Sequence, residues 1–254
     1  MADATIAFLD RYPVKGLSPQ PLDRAMLNAG AHFPGDRLFA VENGPSGFDP
    51  AAPEHQPKFK FLVLMRYPEL ARLQTHYDDA TGVLTIRQDG RLVAAGDLAT
   101  GEGRATVEMF LAATYADVLR GAPQVLAAPA GFRFMDSRSG FVSLINLASL
   151  RALAAKLGVR ALEPRRFRAN IGVEGLPPWG EFDLVGREIG LGSARLRVIK
   201  RTERCAATHA DPVRGIRDLD VVGMLQREFG HADCGVYAEV IAQGTVAVGD
   251  RLTA

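Results

Sequence analysis

Along residues 193–200 apolar and polar side chains alternate one for one, the period of a strand buried on one face. Short apolar runs at 5–9, 35–41, 59–65 and 141–145 predict further strands. Turn signals at 78–82 and 88–90 bracket 83–87, which predicts a meander. Two stretches change rhythm. Val107, Phe110, Leu111, Thr114 and Val118 recur at helical spacing, with Gly121 as a stop. Asn146 is suited to cap a helix bearing Leu147, Leu150, Leu153, Ala154 and Leu157 on one face, closed by Gly158. A shorter helix is predicted at 222–229. The chain ends with 235–241, a Gln243-Gly244 turn and 245–252, which reads as a terminal hairpin. Many short strands with glycine turns predict a barrel-like sheet, so the fold class is mainly β with a few helices, α+β.

Composition narrows the class without naming it. With 254 residues, 47% hydrophobic and 23% charged, the chain has the make-up of a soluble globular protein of one large or two modest domains. A net charge of +1 gives no support for a nucleic-acid or membrane-surface role. Two cysteines, with no C-x-x-C pair, form neither a zinc-type cluster nor a disulfide framework, which favours a reducing compartment. The first residues lack a long apolar run and carry Asp3, so no secretory signal is expected, and no apolar stretch is long enough to span a bilayer. The expected location is cytoplasmic. Pro13, Gly16, Pro19 and Pro21 punctuate an extended loop; 44–57, rich in Pro, Gly and Ala, reads as a loop lying over something.

The densest chemistry lies at residues 201–211, RTERCAATHAD. Cys205 follows Lys200, Arg201 and Arg204 where a strand should give way to a loop. Cationic neighbours favour a thiolate, which is both nucleophile and metal ligand. Taken alone, a single cysteine is more often a small buried hydrophobe. Asp211, before Pro212, is either a turn residue or a proton donor, and His209 is either structural or an acid–base group. Cys234 reads as core and Trp179, beside Pro177 and Pro178, as packing.

An ordered set of short motifs resembles the MOSC domain family, found in molybdenum cofactor sulfurases and amidoxime-reducing molybdenum enzymes. In the second half these are Phe167-Arg168-Ala169-Asn170-Ile171, Trp179 with Glu181, Ile189-Gly190, Arg204-Cys205 with Thr208 and Asp211-Pro212, Gly235-Val236-Tyr237, and Gly244 through Val248-Gly249-Asp250. In the first half Tyr12-Pro13-Val14-Lys15, Gly30 and Asp36-Arg37 resemble the β-barrel domain that precedes MOSC. The resemblance implies an N-terminal β-barrel domain over 1–120, a MOSC domain over 121–254, and molybdenum–molybdopterin held between them.

By the same resemblance Cys205 would be the protein ligand to molybdenum, where a soft thiolate suits a metal already bound by sulfur. Lys15 and Arg37 match the family's basic residues for the pterin phosphate. Arg168 and Asn170 match its contacts from the MOSC side, Ser137, Arg138 and Ser139 fall in a loop that approaches it, and Arg204 and Thr208 complete the set. Cys205 and Asp211 are the catalytic candidates. The implied activity is two-electron reduction of an N-hydroxylated, or related N- or S-oxygenated, small molecule. With no cysteine cluster and no G-x-G-x-x-G loop placed for a flavin or nicotinamide, electrons would come from a separate flavin or iron–sulfur reductase, the protein itself being a monomer. Two other classes stay open: a sulfur carrier using a Cys205 persulfide, and a non-catalytic cofactor carrier.

The chain departs from the family pattern in three places. Gly16 stands where a serine is common, Glu203 where a small hydroxyl residue is common, and 48–59 lacks the usual arginine-bearing loop, leaving His55, Lys58 and Lys60 as substitutes.

Overall fold

The structure is a computed structural model that describes residues 4–138 and 141–254, so Ser139 of the expected cofactor loop lies outside the described residues. In chain order the first strands are β1 (Thr5–Arg11), β2 (Gln20–Leu22), β3 (Arg24–Leu27), β4 (Phe39–Asn43), β5 (Leu73–Tyr77), β6 (Val83–Gln88) and β7 (Arg91–Asp97). Helix α1 (Gly101–Thr114), β8 (Pro123–Ala127), β9 (Val142–Asn146), α2 (Leu147–Leu157) and β10 (Ile171–Glu174) follow. The chain closes with β11 (Glu188–Leu191), β12 (Ala194–Glu203), α3 (Val221–Phe229), β13 (Asp233–Ala242), β14 (Gly244–Ala247) and β15 (Leu252–Thr253).

Eight strands form one strongly curled half-barrel sheet in the order β15-β11-β12-β13-β9-β10-β1-β2. Its inner face follows from the period-two pattern: on β12 Ala194, Leu196 and Val198 are buried while Arg195 and Arg197 are exposed. Leu196 packs with Leu144, Ile171, Val236 and Leu252 in the first core. Burying each such side chain stabilises the fold by about 1.5–3 kcal/mol. A second core lies under the meander β5-β6-β7, which α1 covers through Val107 and Leu111. Hydrogen bonding crosses the expected division at residue 120 in both directions. β1 and β2 join the eight-stranded sheet, β3 pairs with β14, and β8 pairs with β4.

Local signals explain the helices. The Thr100 hydroxyl accepts a hydrogen bond from Gly103 N at 3.0 Å and starts α1 earlier than the apolar spacing indicates. The Asn146 side chain accepts from Ala148 N at 3.0 Å, and Gly158, at φ +70°, ends α2 in the left-handed conformation that glycine favours.

Three expected elements differ. Residues 59–65 are not a strand: Phe61 makes an isolated bridge to Glu42, and Phe61, Leu62, Val63 and Leu64 are all buried. A run buried on every side fills space between cores and has no exposed face to set a strand's alternation. Within 35–41 only the last residues are extended, because Arg37 adopts φ +48°. The terminal hairpin is absent. β14 leaves β13 to pair with β3, placing Val246 in the first core beside Ala25 and Leu27.

Gly16 has a structural reason to replace serine. At φ +85° its added Cβ would lie 2.2 Å from the Leu62 carbonyl oxygen, so only glycine fits the backbone here.

Candidate functional site

Where β12 runs out, the chain turns through Arg204 and Cys205 into a short 3-10 helix, Ala206–His209. Thr208 closes that turn, its hydroxyl donating to the Cys205 carbonyl at 2.9 Å. The buried Arg166 guanidinium holds the next segment, pairing with Asp218 at 2.7 Å and donating to the His209 carbonyl at 3.3 Å. Cys205, half-buried and free, thus sits on a loop fixed from behind.

It opens into a cavity of about 440 Å³ between segments from both halves of the chain. Of the residues expected at the cofactor, Arg37, Ser137, Arg168, Arg204, Cys205 and Thr208 line it together. That volume falls in the range of small-molecule sites.

The floor is cationic and incompletely paired. Arg37 and Arg168 both occupy left-handed backbone, at φ +48° and +53°, and both guanidiniums lie over the buried Tyr12 ring, 4.5 and 4.3 Å from its centroid. Backbone strain of this kind in non-glycine residues concentrates at functional sites. Arg37 is compensated by Asp36, whose other oxygen accepts from Tyr12 N at 2.7 Å. Arg168 donates one Nη to the Leu17 carbonyl at 2.6 Å and has no carboxylate partner among the described residues. Burial, then the Arg37 charge, pushes its pKa down to about 10, which leaves it a cation at neutral pH. Arg204 is oriented by the Cys234 carbonyl at 2.6 Å and the Phe167 carbonyl at 2.7 Å. Among the described residues, one buried Nη of each of Arg168 and Arg204, and the Thr202 hydroxyl on the same wall, have no hydrogen-bond partner. Buried donors left open in a cavity fit an anionic ligand that accepts several hydrogen bonds.

By sequence Lys58 is one of three possible substitutes in its loop. The 3-10 helix Lys58–Lys60 brings it from the first half into the cavity. Burial alone would lower the Lys58 ammonium pKa, but the neighbouring Cys205 sulfur and Asp136 carboxylate raise it. His55 and Lys60 do not line the cavity; Lys60 ties down its own loop through the Ser46 carbonyl and Gln56.

Four of the expected residues stand elsewhere. Lys15 is buried behind the wall, its ammonium held by the Phe134 carbonyl at 2.9 Å and by Asp136, and does not line the cavity. Asn170 is wholly buried; it accepts from Ser143 N and Oγ and donates to the Asp10 carbonyl, joining β1 to the sheet behind the site. Asp211 accepts from Val213 N and Arg214 N at 2.8 and 2.7 Å and pairs with Arg166 and Arg214. That is the turn role; the Asp211 carboxylate is engaged in these contacts and does not line the cavity. Burial pushes that carboxyl up, but these hydrogen bonds and cations outweigh it and hold it below the ordinary carboxylate value. Arg138 is exposed and lies off the cavity wall.

His209 is structural, its Nε2 accepting from Val222 N at 3.3 Å at the start of α3. Trp179 packs with Phe182, Phe229 and His231, as expected of a packing residue. Glu203 lines the cavity and lies opposite Asp233 in the β12–β13 register; among the described residues neither Arg201 nor Arg204 forms an ion pair with it. Thr202 and Tyr237 are lining residues that sequence reasoning missed; strand phase alone does not show which side of a bulged strand faces a ligand.

This arrangement of curled sheet, preceding β domain and cysteine-bearing cavity agrees with the family comparison. The MOSC domain profile matches residues 132–253, and that of the MOSC N-terminal beta barrel domain matches residues 3–118. The chain belongs to the MOSC domain family, which is associated with molybdenum cofactor binding. No curated protein matches it. Among solved structures, the YUAD protein from Bacillus subtilis aligns over 99% of this chain and 97% of its own, with 13% identity and a TM-score of 0.46. YiiM from Geobacillus stearothermophilus aligns over 46% of this chain and 55% of its own, with 15% identity and a TM-score of 0.36. Among the described residues no helix is long and apolar enough to cross a membrane.

Proposed function

We propose that the protein binds molybdenum–molybdopterin in this cavity and reduces N-hydroxylated, or related N- or S-oxygenated, small molecules. The observation that supports it most is the coincidence, in one cavity, of the Cys205 sulfur with buried, unpartnered donors on Arg168, Arg204 and Thr202. A phosphate group would accept from those donors, and the thiolate is a ligand of the softness that molybdenum takes. When bound, the cofactor supplies the two-electron redox chemistry. The chain's own residues bind and orient. Arg168 and Arg204 neutralise an anion, the Tyr12 ring supports Arg37 and Arg168 over it, and Lys58 adds a further cation on the wall that carries Cys205. The protein acts as a cytoplasmic monomer and draws electrons from a separate flavin or iron–sulfur reductase.

The test is the molybdenum and pterin content of protein from a cofactor-competent host, wild type beside Cys205→Ala, followed by a reductase-coupled assay. The expected result is near-stoichiometric metal in the wild type, lost or spectrally altered in the variant, and turnover of an N-hydroxylated substrate. Absence of metal from both, with a persulfide on Cys205, would replace this reading with sulfur transfer. Bound cofactor without turnover of any such substrate would leave a carrier.

A further inference from the structure

The cavity carries more positive charge than one phosphate-bearing ligand at its floor needs. Its walls hold seven cationic side chains against three carboxylates, in a chain whose net charge is only +1. Two of those cations are compensated from outside, Arg37 by Asp36 and Arg166 by Asp218, and Asp136 is taken by Lys15. Arg168 and Arg204 line the cavity, each with one buried Nη that has no hydrogen-bond partner among the described residues. Three cations remain: Lys58 in the first half, and Lys200 and Arg201 on β12. Among the described residues none of the three pairs with a carboxylate.

They are held in place by other means. The Lys200 ammonium lies 5.8 Å from the Tyr237 ring centroid, the Arg201 guanidinium 4.2 Å from that of Phe182, and Lys58 is set by the 3-10 helix Lys58–Lys60 on the cavity wall it shares with Cys205. Lys200 and Arg201 are exposed and Lys58 half-exposed, so the group forms the mouth of the cavity. Glu203 and Asp233, opposite each other, are the negative groups on that rim and are outnumbered by these cations. A cleft lined by one sign of charge concentrates oppositely charged ligands.

We infer that the substrate carries a negative group, a carboxylate or phosphate, remote from the atom that reacts, and that Lys58, Lys200 and Arg201 recognise it at the cavity mouth. The inference rests on the proposed reductive function and names the substrate class of the same site.

The experiment compares benzamidoxime bearing a para-carboxylate with its methyl ester as substrates of cofactor-loaded protein. In parallel, calorimetry measures binding of 4-carbamoylbenzoate, which has no oxygen to lose, beside its methyl ester. The acid should show a KM lower by about tenfold or more, and the preference should shrink as salt rises from about 0.05 to about 0.5 M. Lys200→Gln and Arg201→Gln, at exposed positions, should each lower the acid-to-ester ratio of kcat/KM. Equal constants for acid and ester, or a preference unmoved by salt and by both substitutions, would overturn the inference while leaving reduction intact. Salt-sensitive binding of 4-carbamoylbenzoate without turnover of either amidoxime would uphold anion recognition and remove the reductive reading. If that probe binds no tighter than its ester, the inference falls whatever the turnover.

Discussion

Cys205 and Cys234 sit at the ends of neighbouring strands, yet the fold gives them opposite fates. Cys205 follows β12 and opens into the cavity beside Lys58. Cys234 lies within β13, wholly buried, and burial pushes its thiol pKa up to about 12. The same division separates two cations. Lys15 and Arg168 are both drawn into the interior near Asp136, but Lys15 is spent on Asp136 and the Phe134 carbonyl while Arg168 keeps an open donor. It separates two acids as well. Burial pushes the Asp10 carboxyl up to about 6, against the pull of Arg165, whereas at Asp136 the Lys15 ammonium outweighs desolvation and holds the carboxyl well below the usual range. In each pair the residue chemistry is alike. The difference lies in what surrounds each member once distant segments of the chain have packed together.

The cysteines offer the largest contrast. Iodoacetamide should alkylate Cys205 in the folded protein faster than Cys234 by about a hundredfold or more, because the latter reacts only through opening of the sheet. Peptide mass spectrometry over a time course checks this, and comparable rates would show that Cys205 is closed off.

The cations come next. Arg168→Ala should reduce retained pterin by about tenfold or more, by removing an open charged donor. Lys15→Met should leave pterin content near the wild-type level and instead cost about 1–2 kcal/mol of stability, the cost moderated because the Asp136 side chain it abandons is 57% exposed. Pterin fluorescence and denaturant unfolding separate the two effects, and equal pterin loss in both variants would erase the distinction drawn between them.

The acids give an effect that fades with pH. With its carboxyl raised from 3.8 to about 6, Asp10 takes up a proton on folding between those values, so its contribution to stability falls as pH rises through that window. Asp10→Asn should therefore stabilise the protein by about 1–3 kcal/mol at pH 7, with the gain vanishing below about pH 4. Asp136 runs the other way: its depressed carboxyl contributes stability above the ordinary value of 3.8 that is lost as pH falls below it. Unfolding curves across pH test both signs.

Much of this frame was legible in the chain itself. The alternation along β12, the Asn146 cap and the Gly158 stop are local signals read by local forces, and all three appear where expected. The clustering of cations around Cys205 was equally visible. The strand expected at 59–65 was not, because an apolar run buried on every side carries no period to identify it. Asp211 was ambiguous for a related reason. An aspartate before proline has the same sequence signature whether its carboxylate caps a turn or faces a substrate, and only the Arg166 and Arg214 contacts decide.

The sequence by itself determined the mainly β class, the three helices, the family motifs and the placing of Cys205 at a strand end, since each depends on neighbours a few residues away. Only the tertiary structure decided that Lys58 shares a cavity with Cys205, that Arg37 and Arg168 turn left-handed over one tyrosine, and that Lys15 is spent on Asp136. Those outcomes depend on which charges remain unpaired after segments distant in the chain have packed together, and pairing across such distances leaves no local pattern to read.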